Sequence, residues 1–256
     1  MSQDITHLYN RVRKHLLASA KVKSEVAGMA RVARSSGQSV GGIAIKSAPA
    51  LANVSAASAL RHQSYGASAT GATAAAPAVH SIVAAAQVIC DAFRTGGKLL
   101  LCGNGGSAAD CQHMATEFMN LLHKDFVRAP LPAIALTTDS SFLTAFGNDF
   151  KDFSGVFARQ VRALGKAGDV LLAISTSGTS PNVLDAIAAA RDLNLRTIAL
   201  TGRGGRLAGM ADIAIAVPSS HVHHIQEAHL AIEHIICELV EQLLFDPQGR
   251  GESEVV

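Results

Sequence analysis

The chain has 256 residues, 48% of them hydrophobic, and a formal net charge of +2. That length supports one sizeable core in a single domain. The near balance of charge, with no basic block or basic–aromatic stripe, argues against a nucleic-acid partner. No apolar run is long enough to span a bilayer, and MSQDITHLYNRVRKHLL lacks the apolar stretch of a secretory signal, so a soluble protein of a reducing compartment is expected. Cys90, Cys102, Cys111 and Cys237 form no CxxC pair and read as buried free thiols.

Residues 4–34 carry Ile5, Leu8, Val12, Leu16, Leu17, Val22 and Val26 mostly at helical spacing and predict an amphipathic helix. Residues 35–77 are rich in Ser, Ala and Gly and bury too little to offset ordering, so they read as a flexible insertion with a short helix around 51–62. A helix over 79–95 stops at Gly96-Gly97. KLLLC (98–102) is apolar without alternation, as in a strand covered on both faces. A turn at 103–107 leads into a helix running to about Leu122. Strand 132–137, a loop and a helix near 153–165 follow. Strand 169–175, a turn and helix 181–193 come next, then strand 196–202, a short helix and strand 213–218. Helix 224–245 closes a domain spanning 78–247, before a tail at 248–256. Alternating strands and helices predict an open α/β fold, a central parallel sheet flanked by helices in three layers, with an N-terminal helical extension.

In such sheets ligands sit beyond the carboxyl ends of the strands. Two turns there stand out. In Gly103-Asn104-Gly105-Gly106-Ser107 the glycines let backbone approach a ligand, and the helix that follows offers free N–H groups to an anion. Ser175-Thr176-Ser177-Gly178-Thr179-Ser180-Pro181 brings five hydroxyls, and a proline suited to a first helical turn. Such a loop binds phosphate without a lysine. Neither turn matches GxxxxGK[ST], and no GxGxxG follows a strand, which disfavours nucleotide folds.

His113 and Glu117, at i and i+4, share one helix face. The last helix carries Gln226, Glu227, His229, Glu233 and His234 among apolar residues, a costly density unless it is used. Glu and His suit the proton transfers of an aldose–ketose isomerisation, and a divalent metal would assist by polarising the carbonyl. His113, Glu117, Gln226 and His234 are plausible metal ligands. Gln226 and His234 lie about 12 Å apart along a straight helix. One ion takes both only if the helix bends, the side chains converge or one ligand comes from another subunit. His221, His223 and His224 read as solvated loop histidines. Asn148 and Asp149 are placed in a loop, where they bind sugar hydroxyls or make an Asx-turn.

The blocks LLCGNGGSAADCQHMATEF, ALTTDSSFLTAFGNDF, GDVLLAISTSGTSPNVLDAI and IQEAHLAIEHIICELVEQLL, in this order, resemble the phosphoheptose isomerases of the sugar-isomerase (SIS) fold. The resemblance runs from about Val79 to Phe245. It implies cytoplasmic conversion of sedoheptulose 7-phosphate to D-glycero-D-manno-heptose 7-phosphate, the entry to heptose for lipopolysaccharide cores. It also implies a homotetramer with active sites between subunits. By the same resemblance Glu117 is the catalytic base and His234 the acid, and His113, Glu117, Gln226 and His234 bind zinc. Asn104, Gly105, Gly106, Glu117, Asn148, Asp149 and Gln226 contact substrate, and Ser175, Thr176, Ser177 and Ser180 hold its phosphate. Leu121 stands where many relatives carry Arg, with Lys124 and Arg128 as candidate substitutes. Residues 35–77 interrupt the family's N-terminal helical pair.

Two other readings are a non-catalytic SIS phosphosugar-binding protein and a sugar-phosphate sensor. One relative of the first kind assembles the bacterial replication initiator, and LLFDPQG and Asn120 resemble it, but it lacks the Glu that this chain keeps as Glu117. A sensor would carry a DNA-binding module, and residues 1–78 show no convincing one.

Overall fold

In the computed structural model, residues 7–21 and 76–245 are described. The chain divides into two compact units, Met1–Thr73 and Ala74–Val256. In the first unit, residues 7–21 form helix α1, with Leu8 and Val12, one turn apart, as its buried apolar positions. The expected insertion, with its short helix at 51–62, lies outside the described residues apart from 76 and 77, which already belong to the next helix. The tail at 248–256 also lies outside them.

The second unit runs α2 (Ala76–Arg94), β1 (Leu99–Gly103), α3 (Gly106–Met119), β2 (Ala133–Ala135) and α4 (Ser140–Phe150). It continues with α5 (Val156–Leu164), β3 (Val170–Ser175), α6 (Pro181–Asp192), β4 (Arg196–Thr201), α7 (Leu207–Met210), β5 (Ile213–Ala216) and α8 (Val222–Phe245). All five strands are parallel, in the order β2-β1-β3-β4-β5. The strand order reverses between β1 and β3, which makes their carboxyl ends the topological switch point where such sheets bind ligands.

β1 and β3 are buried at every position, as their unbroken apolar runs predict. Each fully buried leucine here contributes about 1.5–3 kcal/mol relative to exposure. Leu100, Cys102, Leu171 and Ala173 face one layer and pack with Phe146, Phe157, Val161, Val183 and Ile187 from α4, α5 and α6. α2, α3 and α8 pack together as the other layer. At the far edge Asp169, fully buried, accepts from Lys98 Nζ (2.6 Å) and from the backbone N–H of Lys98 and Lys166 (both 2.9 Å), and so fixes the starts of β1 and β3.

Two expectations need correction. α3 stops at Met119 instead of reaching Leu122, because Asn120 leaves helical backbone at φ −98°, ψ −101°. The residues placed in a loop with Asn148 and Asp149 form α4. Asp139 caps it by accepting from the Phe142 N–H at 2.9 Å, and Phe142, Phe146 and Phe150 make a stripe along it. Within α4, a Cβ on Gly147 would strike the Phe153 ring at 2.6 Å.

Candidate active site

Both suspected loops flank the switch point. After β1, Gly105 takes φ +56° and α3 begins with no side-chain cap. After β3, Gly178 also takes a positive φ, +65°, and α6 begins at Pro181, again without a side-chain cap. Helix N-termini need outside partners for their first N–H groups, so two uncapped ones at a single crevice suit an anion.

The serine–threonine loop spends its hydroxyls internally. Ser175 Oγ lies 3.1 Å from Ser180 Oγ and accepts from the Gly178 N–H at 3.2 Å, and Ser177 Oγ accepts from the Thr179 N–H at 3.3 Å. These bonds hold the loop in a curl, whose back is sealed by the Arg206 and Leu207 N–H groups donating to the Gly178 carbonyl. Thr176 contributes its carbonyl, which accepts from the Gly202 N–H at 3.2 Å.

The two loops are tied to each other by a residue that sequence reasoning missed. Asn104 and Asn182 exchange two amide hydrogen bonds, both 2.8 Å, with Asn182 nearly buried at the start of α6. Exchanging O and N in both amides preserves the pair. In sequence Asn182 reads as an ordinary first-turn residue; the one signal was a polar group opening an otherwise apolar helix face.

The expected proton-transfer groups, Glu117 and His234, lie together with His113 between α3 and α8. His113 Nε2 and His234 Nε2 are 2.8 Å apart, with the rings edge to face. His113 Nε2 is 3.5 Å from Glu117 Oε1. The ligand atoms of His113, Glu117 and His234 all lie within 4.8 Å of one another. The helices run side by side in the same direction, so their contacts form rungs. Toward the loops, a Cβ on Gly106 would fall on the side-chain amide of Gln226. At the middle His113 meets His234, and at the far end the Leu122 N–H donates to Glu241 at 3.2 Å. Gln226 therefore occupies the rung above the three-residue cluster. Asn148 and Asp149 sit on the exposed last turn of α4, where they bond each other at 3.0 Å. Among the described residues no hydrogen bond joins them to either loop.

Behind this cluster Glu233 is buried, and neither of its carboxyl oxygens has a hydrogen-bond partner among the described residues. Burial first, and the Asp110 carboxylate second, push its pKa up to about 8. His229, also buried, lies 3.2 Å from the Thr201 carbonyl, and burial lowers its pKa. All four cysteines are free and buried, and burial raises Cys90 and Cys102 to about 12.

Two imidazole nitrogens and a carboxylate oxygen form a donor set of the kind zinc takes. Tetrahedral coordination at about 2.1 Å places ligand atoms about 3.4 Å apart. The His113–Glu117 pair meets that spacing at 3.5 Å, and the two imidazoles, at 2.8 Å, would have to separate. His221, His223 and His224 are exposed at the start of α8 and pack against one another, with ring centroids 4.3–6.0 Å apart.

A parallel sheet with loops at its switch point is shared by many doubly wound α/β proteins; the SIS domain profile, matching residues 67–202, defines the class here. The chain belongs to the SIS-domain family, and within it to the phosphoheptose isomerases. It is 54% identical over 163 residues to a phosphoheptose isomerase of Solidesulfovibrio magneticus, covering 64% of this chain and 78% of the relative. It is 51% identical over 166 residues to that of Roseiflexus sp., with 64% and 83% covered. The structure of phosphoheptose isomerase from Neisseria gonorrhoeae matches with a TM-score of 0.60 at 46% identity, over 64% of this chain and 86% of the other. Among the described residues no helix is long and apolar enough to cross a membrane.

Proposed function

We infer that this chain is an aldose–ketose isomerase that interconverts sedoheptulose 7-phosphate and D-glycero-D-manno-heptose 7-phosphate. The observation that carries the reading is the convergence of Glu117, His113 and His234 on one rung, within the domain whose switch-point loops offer amides and hydroxyls to a phosphate. In the proposed reaction the Glu117 carboxylate takes a proton from C1 of the ketose, beside the C2 carbonyl. His234 donates a proton to the carbonyl oxygen, giving the enediol. Glu117 then delivers its proton to C2, and the C1 hydroxyl returns a proton to His234, which restores both groups. With no metal between them, His113 and His234 Nε2 lie 2.8 Å apart, so one ring carries the N–H and the other the lone pair.

Ser175, Thr176, Ser177 and Ser180 are assigned to the phosphate. Asn104, Gly105, Gly106 and Gln226 are assigned to the sugar, with Asn148 and Asp149 as outer contacts. His113, Glu117 and His234 would hold a zinc ion, with Gln226 as a fourth donor once its amide leaves Gly106. Bound there, zinc supplies Lewis-acid polarisation of the carbonyl oxygen. The working form is proposed to be a cytoplasmic homotetramer with sites between subunits, feeding heptose to lipopolysaccharide. The proposed divisions are an N-terminal helix (1–34), an insertion (35–77), the SIS domain (78–247) and a tail (248–256).

The test is incubation with sedoheptulose 7-phosphate in deuterated water, followed by NMR. Solvent deuterium should enter at the carbon beside the carbonyl as the aldose appears. Aldose formed with no exchange, or no aldose at all, would reject the enediol route.

A further inference from the structure

We propose that Arg128, backed by Glu241, is a positioning residue that fixes Glu117 against His234. This rests on the isomerase reading above. Arg128 does not stand in for the arginine that many relatives carry at the position of Leu121. Its side chain is 1% exposed and all five of its N–H donors are used. Nη2 donates to the backbone carbonyl of Glu117 itself at 2.7 Å, and Nη1 to those of Phe118 (2.7 Å), Ala129 (3.0 Å) and Asn120 (3.2 Å). Three of these carbonyls belong to the frayed end of α3, where a helix has no internal donors left.

The other side of the same guanidinium grips α8. Nε and Nη2 approach Glu241 Oε1 at 2.8 and 2.7 Å, and that oxygen also accepts from the Leu122 N–H. Glu241 lies seven residues beyond His234, about two turns along the same helix. One planar group thus bonds the main chain of the residue bearing the base and the helix bearing the acid. A buried ion pair is often replaceable by apolar side chains without loss of stability, so stability alone does not explain its presence. What the fork geometry supplies is a fixed rotation and register of α3 on α8, which a lysine cannot supply.

Purified full-length protein carrying R128M/E241L, R128K or E241Q would be compared with wild type. The readouts are turnover of sedoheptulose 7-phosphate, calorimetric zinc affinity and melting temperature. R128M/E241L leaves no unpaired buried charge and is expected to fold. Its kcat should fall about 10- to 100-fold with KM changed less than about threefold, because a displaced base costs turnover and not binding. Zinc affinity should fall by about tenfold alongside. E241Q keeps the bonds to the α3 carbonyls and should lose less kcat than R128K at an equal drop in melting temperature. A folded R128M/E241L with wild-type kcat and zinc affinity overturns the proposal, as does a kcat loss that only tracks melting temperature. Wild type inert on the sugar, with zinc affinity still lost in the variants, would sink the isomerase reading and keep the clamp.

Discussion

The switch-point crevice and the α3–α8 ladder are built from different materials, as the different tasks proposed for them require. The crevice is built from backbone amides, hydroxyls and an amide pair, with no charged side chain in either loop. The ladder is built from titratable side chains on two packed helices. Binding an anion needs many weak donors converging on one place, which curled backbone provides. Moving a proton needs two groups held to a fraction of an ångström, which rigid helices provide better than loops.

The sharpest separation of the two regions is Glu117→Gln. It should lower kcat about a thousandfold, roughly 4 kcal/mol of barrier, while leaving KM and phosphosugar binding nearly unchanged. Steady-state kinetics with a binding titration would check it, and wild-type-like turnover would remove Glu117 from the chemistry. Next in size is metal removal. A strong chelator should reduce turnover and zinc should restore it; His113→Ala should abolish calorimetric zinc binding. Unchanged rates after verified metal removal would leave acid–base chemistry alone at the rung. In the crevice the expected effect inverts. Asn182→Ala should raise KM about tenfold, near 1.4 kcal/mol, with kcat held, because it unties the loops and not the base. A kcat effect as large as the KM effect would mean the two regions are not separable.

The smallest effect is on stability. Glu233→Leu removes a buried carboxyl without a hydrogen bond and should stabilise the fold by about 1 kcal/mol. Because folding raises this pKa from 4.5 to about 8, with Asp110 facing it, the native state holds the proton more tightly. The stability it lends is complete below pH 4.5 and is lost as pH rises through 8. The variant's advantage should therefore grow across that window in thermal melts; a pH-independent difference would place the carboxyl in water.

The layered fold and the two loops were legible because their signals are local. Unbroken apolar runs marked β1 and β3, and glycine or hydroxyl clusters marked the turns after them. The i, i+4 pair of His113 and Glu117 was equally readable. That His234 would meet them was not derivable from spacing, since it depends on which helix packs beside α3; the family resemblance alone pointed there. Asn182 and Arg128 were hidden for the same reason, their partners lying 78 residues away at Asn104 and 113 away at Glu241. Asn148 and Asp149 were misplaced because the segment read as a loop is made helical by the Asp139 cap and the Phe142, Phe146 and Phe150 stripe.

The reciprocal bond between Asn104 and Asn182 is neutral in both partners. Neither amide gains or loses a charge between acid and alkaline solution, and salt has little field there to screen. The gap between the two loops is thus latched by something indifferent to the medium. A change of pH or of ionic strength would therefore leave the spacing of the two loops as it is.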